Sequence, residues 1–554
     1  MSRTETVLSA LLVFAVAVLV RVLASSLVTF PKPEDTAYYV GVARNLVEGR
    51  GLVSDALWSF QTQPLRFPRD AFEVWLPLPS FVAALPMLAV KSAGPMALDV
   101  AFRAAQGSSV LIGALVPVLA WRLGADVAAE RQLPRGRART LAIGSGLATA
   151  VYLPLLLHSA LPDSTMPFAV LALGASLLMT RLVRDPRGAR ILDPRLLALG
   201  IVIGLAALTR NEAVWVAFVW ALLVVTAKVT WAERARLIGV VAIVSLIVFA
   251  PWAYRDWAVF GSPFPGQAVA NAFSVTGFDI FAWNDPPTLA RYLAVGPARL
   301  LEMRGEGLWH NLWSVLLSLG LPISLIGFVA LPWQARDRAL RPVVLISLLT
   351  FLVTSLAFPV ATTWGTFLHA AGPAHVLLVI SALGALDAFI AWVGVKRGWT
   401  RPVAWLGVTL GVFGSALFSL ALLPAFGGGS QFTATVYSAL DERLTAMGIP
   451  QDQPVIHDFP IWLAETSRRP ALALPDESPM DVIDLAKYFG ARYLVSSDPD
   501  HGSWPDILDS GAPGADCFEE VPLGAPADPE VAEALESIRV FHLTCIRDST
   551  VRVP

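Results

Sequence analysis

The stretch that decides the fold is the first membrane-length segment and the residues directly after it. Residues 7–39 read VLSALLVFAVAVLVRVLASSLVTFPKPEDTAYY, and the first two dozen of them contain a single charge, Arg21. About 20 apolar residues are enough to cross a bilayer. The run is too long for a signal-peptide core and lacks a small-residue cleavage site, so we interpret it as a retained membrane anchor.

An acidic pair stands where the chain leaves the lipid. Glu34 and Asp35 lie beside two tyrosines, of which Tyr38 is the first. Acidic groups at a membrane face are treated as candidate functional residues by default. The alternative is that Asp35 is only the N-cap of an interfacial helix from residue 36 to about 48, closed by glycine at 49 and 51. The two interpretations are compatible, because a cap also fixes a carboxylate in space.

Composition places the chain among polytopic α-helical membrane proteins. Of its 554 residues, 55% are hydrophobic and 15% are charged, and the mean hydropathy is +0.61. Soluble domains carry about 25% charged residues. The net charge of −2 points to no particular partner, and we expect no nucleic acid. Apolar runs predict about eleven spans, at 7–30, 97–122, 140–157, 165–183, 195–209, 212–228, 237–254, 308–333, 341–358, 374–394 and 402–424.

Arginine and lysine gather in alternate joints between these spans. The basic joints are 131–139, 181–190, 228–236, 336–341 and 396–401. The positive-inside rule places them on the cytoplasmic side, together with the N-terminus. The loop 31–96 then lies outside, provided that the proline-rich segment Leu76–Val90 does not cross. We therefore expect that segment to be re-entrant or interfacial.

The tail has a different composition and predicts a second unit. Gly427-Gly-Gly-Ser430 is typical of a linker, so we divide the chain into a membrane module, 1–425, and an extracytoplasmic α/β domain, 426–554. Residues 454–459 and 491–496 are typical of strands, with an amphipathic helix over 480–489 between them. Cys517 and Cys545 both lie here. In an oxidising compartment they predict one disulfide; the alternative is two unconnected thiols.

The polar residues among the spans fall on the outer face in this topology. They are Glu34, Asp35, Arg66, Arg69, Glu73, His158, Asp163, Arg210, Asn211, Glu212, Arg255, His369 and His375. A charge at a helix centre costs about 2.5–3.5 kcal/mol, so this gathering indicates a polar cavity, although any single arginine can also be a snorkelling anchor. A carboxylate suits a general base, and arginines suit a phosphate. The combination predicts group transfer from a phospholipid-like donor.

An ordered series of segments over residues 7–425 resembles the GT-C superfamily of glycosyltransferases. The resemblance is to the branch of the protein O-mannosyltransferases and the lipid A aminoarabinose transferases. The matching segments are Glu34-Asp35 with Tyr38-Tyr39, Ala43–Gly49, Glu73-Val-Trp-Leu-Pro-Leu-Pro79, Pro162-Asp163, Ala207–Glu212, Pro251–Arg255 with Val259–Gly261, and Thr366–His369. Many relatives carry a phosphate-binding lysine after the Pro-Pro-Leu region, whereas this chain has Ser80 and Phe81.

The resemblance implies an inverting transfer of a sugar from a polyprenyl-phosphate donor at the outer membrane face. Asp35 would be the base, and Asp163 would position the acceptor or the base. Arg210 and Arg255 would hold the phosphate, with His369 as a third ligand. Glu34 is a further catalytic candidate, and Arg66, Tyr38 and Glu73 are further substrate-binding candidates. No cofactor or metal is expected, and the acceptor can be a protein, a glycan or a lipid.

Two other functions fit a polytopic chain with polar pockets. A lipid or glycolipid transporter or flippase would show internal repeats and charges near the membrane midplane. Neither is found, since the charges gather at one face. A non-catalytic scaffold that presents its outer domain would leave Asp35 and the arginines without a role.

Overall fold

The computed structural model describes residues 3–186, 190–401, 403–498, 501–524 and 528–546. Arg187 of the second basic joint lies outside them. The helices of the membrane module are α1 Arg3–Leu27, α2 Glu34–Glu48, α3 Leu78–Val90, α4 Leu98–Glu130, α5 Arg135–Val151, α6 Leu153–Ala160, α7 Thr165–Arg184, α8 Pro194–Ala207, α9 Ala213–Val225, α10 Trp231–Phe260, α11 Ala268–Phe273, α12 Leu289–Ala294, α13 Gly296–Trp309, α14 Ile323–Gln334, α15 Arg341–Ala357, α16 Thr366–Ala370, α17 Gly372–Lys396 and α18 Trp405–Ala446.

The helices of the tail are α19 Pro460–Ser467, α20 Pro479–Phe489, α21 Asp506–Asp509 and α22 Pro529–Leu535. Eight strands complete the fold: β1 Val53–Ser54, β2 Ala56–Leu57, β3 Arg69–Asp70, β4 Val455–His457, β5 Ala471–Ala473, β6 Tyr493–Ser496, β7 Phe518–Val521 and β8 Arg539–Leu543. Short 3₁₀ segments include Gly277–Phe281 and Ala361–Trp364, and His310–Leu317 is a π-helix.

The chain is a multi-pass membrane protein. Among the described residues, six helices are long and apolar enough to cross a membrane, or up to eight if each bent pair is one span. The bent pairs are α5 with α6, at 54°, and residues 296–320 with α14, at 119°. The predicted span 308–333 is therefore not one straight helix. The predicted spans 195–209, 212–228 and 341–358 match shorter apolar helices, so the count of eleven stays a prediction.

The segment after the first span forms a helix as expected, and its interfacial position stays a prediction. Helix α2 begins at Glu34 and ends at Glu48, and its C-cap Gly49 has a left-handed φ of 87°. Helix α3 has 13 residues and contains Pro86. Such a helix is about 20 Å long, shorter than the roughly 30 Å hydrocarbon core. That α3 does not cross the bilayer remains a prediction.

The break between α5 and α6 is stabilised by the single charge of the first span. Arg21 is fully buried. Its Nη1 donates to the Ala150 carbonyl at 3.1 Å, and its Nε donates to Ser159 Oγ at 2.9 Å. Pro154 has no N–H with which to continue the helical ladder, so the Ala150 carbonyl needs another donor. Arg21 thus connects α1 to both sides of the break and fixes the direction of α6, on which His158 lies.

The predicted linker is wrong, because residues 427–430 lie inside the continuous helix α18. A Cβ at Gly427 would stand 2.9 Å from the Leu27 carbonyl oxygen, so this glycine allows two helices to approach closely. Ser430 Oγ accepts from the backbone N–H groups of Thr29 and Phe30, at 3.0 and 2.7 Å. The small residues therefore pack α18 against the end of α1.

The tail folds as an α/β unit around a six-stranded sheet with the order β2-β5-β4-β6-β8-β7. Strands β2, β5, β4 and β6 are parallel. Strand β8 is antiparallel to β6, and β7 is antiparallel to β8. The predicted strands and helix correspond to β4, β6 and α20. Cys517 and Cys545 form a disulfide.

One strand of this sheet comes from the first loop rather than from the tail. Ala56 pairs with Ala471, and Leu57 pairs with Leu472. The boundary at residue 426 is untested as a domain limit, but the sheet itself extends into the loop 31–96. Charged contacts reinforce the join, since Arg44 pairs with Glu465 at 2.6 Å and Glu48 pairs with Arg468 at 2.6 Å. Helix α2 therefore lies between the membrane helices and the α/β unit.

Candidate active site

Helix α2 presents its acidic residues on two different faces. Asp35 and Tyr39 are four residues apart and share one face, as do Glu34 and Tyr38. The N-cap of α2 is Pro33, with no side-chain hydrogen bond, so the interpretation of Asp35 as the N-cap is wrong. Asp35 instead lies in the first turn of α2, and its side chain points away from the helix toward His369.

Asp35 forms a close pair with His369. The Oδ2 atom of Asp35 lies 3.0 Å from Nε2 of His369, and both side chains are largely buried. The other carboxylate oxygen, Oδ1, is buried and has no hydrogen-bond partner among the described residues. One oxygen of Asp35 is thus held in place while the other keeps its lone pairs free.

The ring of His369 bridges two acidic groups. Its Nδ1 lies 2.8 Å from Thr165 Oγ1 and 3.5 Å from Asp163 Oδ2. Burial opposes the charged form, but Asp35 and Asp163 outweigh it and raise the pKa of His369 to about 10. The ring is therefore an imidazolium at neutral pH, balanced by carboxylates on both sides.

Asp163 is fixed from several directions. His158 Nδ1 lies 3.1 Å from its Oδ2, and the backbone N–H of Thr165, at the start of α7, donates to its Oδ1 at 2.7 Å. Burial alone would raise the pKa of Asp163, but the hydrogen bonds and charges of His158 and His369 hold it well below its usual range. Asp163 is therefore an ionised anchor for His369 and not a free base.

The local sequence explains how His369 reaches this position. Gly365 has φ 113°, a left-handed conformation, and a Cβ there would stand 3.2 Å from the His369 ring. Only glycine meets both conditions without strain. Gly365 thus lets the chain turn directly from the segment 361–364 into α16, which carries His369.

Arg210 holds this turn in place. Its Nη2 donates to the Thr366 carbonyl at 3.0 Å and to Glu212 Oε1 at 2.9 Å. Its Nε donates to Glu212 Oε2, and its Nη1 donates to Ser164 Oγ at 2.8 Å. Each nitrogen of the guanidinium group therefore has a protein partner. The geometry therefore supports a role for Arg210 in positioning His369 better than a role in binding phosphate.

A second group of predicted residues gathers on the other face of α2. The Tyr38 hydroxyl accepts from the Phe72 N–H at 2.6 Å, and Glu73 pairs with Arg69 at 3.0 Å. Arg255 donates through Nη1 to the Ala71 carbonyl and to Asp256, at 2.8 and 3.0 Å. Its guanidinium lies over Trp252, 4.9 Å from the ring centroid.

Arg255 is more accessible than Arg210. Among the described residues its hydrogen bonds use only Nη1, and its side chain is 20% exposed, compared with 12% for Arg210. Arg66, by contrast, pairs with Asp70 and is 60% exposed. The structure therefore does not bring Arg66 into contact with either group.

Glu34 contacts the α/β unit and not His369. Its Oε1 accepts from the Ile461 N–H at the start of α19, at 3.0 Å, and its Oε2 accepts from Trp58 Nε1 at 3.1 Å. Burial raises the pKa of Glu34 to about 8 despite these hydrogen bonds. Both oxygens are occupied, so the geometry supports a docking role for Glu34.

Several residues of the site carried no sequence signal of their own. In the sequence, nothing marks Ser164 or Thr165 as part of a site. Asp256 directly follows Arg255, and no motif distinguishes it there. His158, Asp163 and His369 come together only because α6, α7 and α16 meet in the fold. In the sequence, each of these three residues stood out as a polar residue among apolar spans.

The same cluster offers ligands for a metal ion, although the sequence predicted none. One donor atom from each of His158, Asp163 and His369 lies within 4.8 Å of the others. Two imidazoles and one carboxylate are a donor set that suits zinc or another divalent transition metal. The expectation that the protein uses no metal stays a prediction.

Comparisons with known proteins agree with this architecture. No protein-family model and no curated protein matches the chain. Two solved structures cover nearly all of it. The oligosaccharyltransferase of Archaeoglobus fulgidus, tethered with an acceptor peptide, has a TM-score of 0.58 at 13% identity, over 94% of this chain and 72% of that one. ArnT from Cupriavidus metallidurans, bound to undecaprenyl phosphate, has a TM-score of 0.56 at 15% identity, over 97% and 98%.

The chain shares its fold with these two proteins. The resemblance found in the sequence is thereby confirmed at the level of architecture. A further structure of the Archaeoglobus fulgidus enzyme, in complex with Zn and sulfate, has a TM-score of 0.56 at 14% identity, over 93% and 72%. At such identities the likeness shows the fold, and the chemistry has to be argued from this chain's own residues.

Proposed function

We propose that this protein is a membrane glycosyltransferase that moves a sugar from a polyprenyl-phosphate donor to an acceptor on the outer face of the membrane. The observation that carries the proposal is the Asp35–His369 pair, in which Oδ1 of Asp35 is buried and unpartnered while Oδ2 is held at 3.0 Å. A buried carboxylate with one free oxygen is suited to general-base chemistry. The fold, shared with a protein bound to undecaprenyl phosphate, supports the donor class.

In the proposed reaction, Asp35 takes the proton from an acceptor hydroxyl or amine. The acceptor atom forms a bond to the anomeric carbon as the bond from that carbon to the phosphate oxygen breaks. The electron pair of the broken bond leaves with the polyprenyl phosphate, and attack from the opposite side inverts the anomeric centre. His369 orients the base through its 3.0 Å contact with Oδ2 of Asp35.

Arg255 is the residue that we assign to the leaving phosphate. Its accessible nitrogens, its position at the end of α10 and its stacking on Trp252 suit an anionic group at the lipid boundary. Tyr38 lies in the same group and can contribute a hydroxyl. Asp256 and Glu73 balance the local charge when no phosphate is bound.

The orientation of the site is part of the proposal. The basic joints support an orientation with the N-terminus in the cytoplasm and the α/β unit outside. Single cysteines introduced in place of Ser92 and Arg131 should be labelled from opposite sides of the membrane by an impermeant reagent. Labelling of both from the same side would move the proposed site to the cytoplasmic face.

A direct assay tests the reaction. The purified protein in lipid nanodiscs is given undecaprenyl-phosphate-linked hexoses and pentoses with a membrane extract as the acceptor source, and release of undecaprenyl phosphate is followed by mass spectrometry. We expect release with at least one donor, and loss of that release in Asp35→Asn. In parallel, a deletion strain should accumulate one lipid-linked sugar and lack one surface glycan. Release at the same rate by Asp35→Asn would overturn the assignment of the base.

A further inference from the structure

Trp364 is a large aromatic side chain that stands partly free beside the proposed reaction centre. It is 45% exposed and is the last residue of the 3₁₀ segment Ala361–Trp364. Only Gly365 separates it from α16, which carries His369. The indole is therefore attached to the same short turn that positions the Asp35–His369 pair.

The indole is held rigidly although much of it is exposed. Phe278 and Phe281 contact it in edge-on arrangements, with ring centroids at 5.9 and 5.6 Å. A Cβ at Gly277 would stand only 2.1 Å from its Nε1, so the ring lies directly on this glycine. Behind it, Thr362 Oγ1 donates to Asn311 Oδ1 at 3.0 Å. A fixed ring loses little conformational freedom when a ligand binds.

The surroundings of Trp364 differ from those of a tryptophan that anchors a protein in lipid. Interfacial tryptophans are common in membrane proteins. Both phenylalanines that hold Trp364 lie in the 3₁₀ segment Gly277–Phe281, and both also contact His501 of the α/β unit, at 4.7 and 6.0 Å. Trp364 therefore contacts a loop segment that in turn contacts the α/β unit.

Trp309 and Trp313 provide the contrast within the same chain. They stack on each other, with ring centroids at 5.9 Å, and are 62% and 43% exposed. They lie on α13 and the π-helix, and neither contacts an aromatic ring in the described part of the α/β unit. These two residues fit the interfacial role, and Trp309 is a matched control for Trp364.

We propose that Trp364 is the stacking platform for a sugar ring at the Asp35–His369 centre. The inference rests on the proposed function. One face of a pyranose or furanose ring is lined by C–H groups and packs on a flat aromatic surface, while its hydroxyls remain free for hydrogen bonds. The ring can belong to the donor or to a glycan acceptor, and both sources present the same chemistry to an indole.

The donor arm of the test measures binding in nanodiscs and does not need turnover. Undecaprenyl phosphate is compared with undecaprenyl-phosphate-linked hexoses and pentoses for the wild type, Trp364→Ala, Trp364→Phe and Trp309→Ala. If the donor sugar stacks on Trp364, the affinity of Trp364→Ala for the sugar-bearing lipid should be about three- to tenfold lower than that of the wild type. The affinity of Trp364→Ala for undecaprenyl phosphate should be unchanged. Trp364→Phe should retain most of the additional affinity that the sugar gives the lipid.

The acceptor arm uses methyl glycosides with undecaprenyl phosphate present, followed by saturation-transfer NMR. For an acceptor sugar on Trp364, the signals of ring C–H protons fall several-fold in Trp364→Ala and persist in Trp309→Ala. If the wild type binds sugars in either arm and Trp364→Ala binds them equally well, the platform is wrong and the proposed function stands. If the folded wild type distinguishes no sugar in either arm, the proposed function fails and the platform fails with it.

Discussion

The imidazole Nε2 of His369 lies 3.0 Å from Oδ2 of Asp35, and this contact joins helix α2 to helix α16. Because Asp163 holds the other side of the His369 ring, the three residues form a continuous acid–imidazole–acid row. Asp35 differs from Asp163 in having a carboxylate oxygen without a partner among the described residues. This difference is the reason that we propose Asp35 as the base and Asp163 as the anchor.

Asp35→Asn should lower the rate of sugar transfer by about 10²-fold or more, because the amide cannot accept the acceptor's proton. The amide is close in size to the carboxylate, so we expect a folded protein that still binds the donor. The measurement is single-turnover release of undecaprenyl phosphate, with donor affinity determined separately. Glu34→Gln is the control and should retain transfer. Near-normal transfer by Asp35→Asn would make Asp163 the next candidate.

His369→Ala should lower kcat for sugar transfer by about tenfold or more. The variant removes the ring nitrogen that lies 3.0 Å from Oδ2 of Asp35, so the carboxylate is no longer held in the reacting position. We expect KM for the lipid donor to stay near the wild-type value, because His369 has no assigned contact with the donor. Steady-state kinetics in nanodiscs measure kcat and KM separately. An unchanged kcat would show that His369 does not position the base in the working enzyme.

Arg255 and Arg210 should respond differently to truncation. Arg255→Ala removes an accessible phosphate donor, so we expect KM for the lipid donor to rise about tenfold or more with normal thermal stability. Arg210→Ala leaves Glu212 buried without its partner, so we expect a lower melting temperature in nanodiscs. The reverse pattern would return the phosphate role to Arg210.

Turnover should not require a divalent cation. Both ring nitrogens of His369 already have protein partners, Asp35 at Nε2 and Thr165 at Nδ1. A cation bound by His158, Asp163 and His369 would have to displace the Thr165 hydroxyl. We therefore expect release of undecaprenyl phosphate to survive dialysis against EDTA, with metal content checked by mass spectrometry. Activity that disappears on chelation and returns with Zn²⁺ or Mn²⁺ would instead establish the cluster as a metal centre.

The sequence predicted those features that depend on local pattern. Apolar runs located the membrane helices, Gly49 marked the end of α2, and alternating residues located β4 and β6. The role of Gly427–Ser430 was missed because glycines that allow close helix packing have the same composition as a flexible linker. Strand β2 has two residues, and only its pairing with β5 makes it a strand.

The site was predictable only in part, for a related reason. Asp35, Asp163 and His369 each stood out as polar residues among apolar spans, but their contacts depend on how three helices meet. The assignment of Arg210 to a phosphate failed to anticipate that Glu212, two residues away, occupies the same guanidinium. A residue type suggests what chemistry is available, whereas its neighbours in space decide whether that chemistry is free to act.

The join between α2 and the α/β unit gives a final prediction, on stability. Arg44 and Glu465 form an ion pair at 2.6 Å whose side chains are both 1% exposed. A Cβ at Gly41 would stand 2.0 Å from the Glu465 carboxyl carbon, so the pair is enclosed by the backbone of α2. Burial raises the pKa of Glu465 to about 7 even with Arg44 beside it. The free-energy cost of desolvating this pair is therefore large.

Arg44→Met should destabilise the protein by about 3–5 kcal/mol, because it leaves the Glu465 carboxylate buried without a partner. Adding Glu465→Leu removes that charge, and we expect the double variant to recover most of the loss. Arg299→Met is the control, since Arg299 and Glu302 are 41% and 62% exposed and such pairs contribute under about 1 kcal/mol. Denaturant unfolding in nanodiscs, followed by the fluorescence of the α/β unit, measures the differences. Additive losses in the double variant would show that the two side chains act independently and that the join does not depend on their pairing.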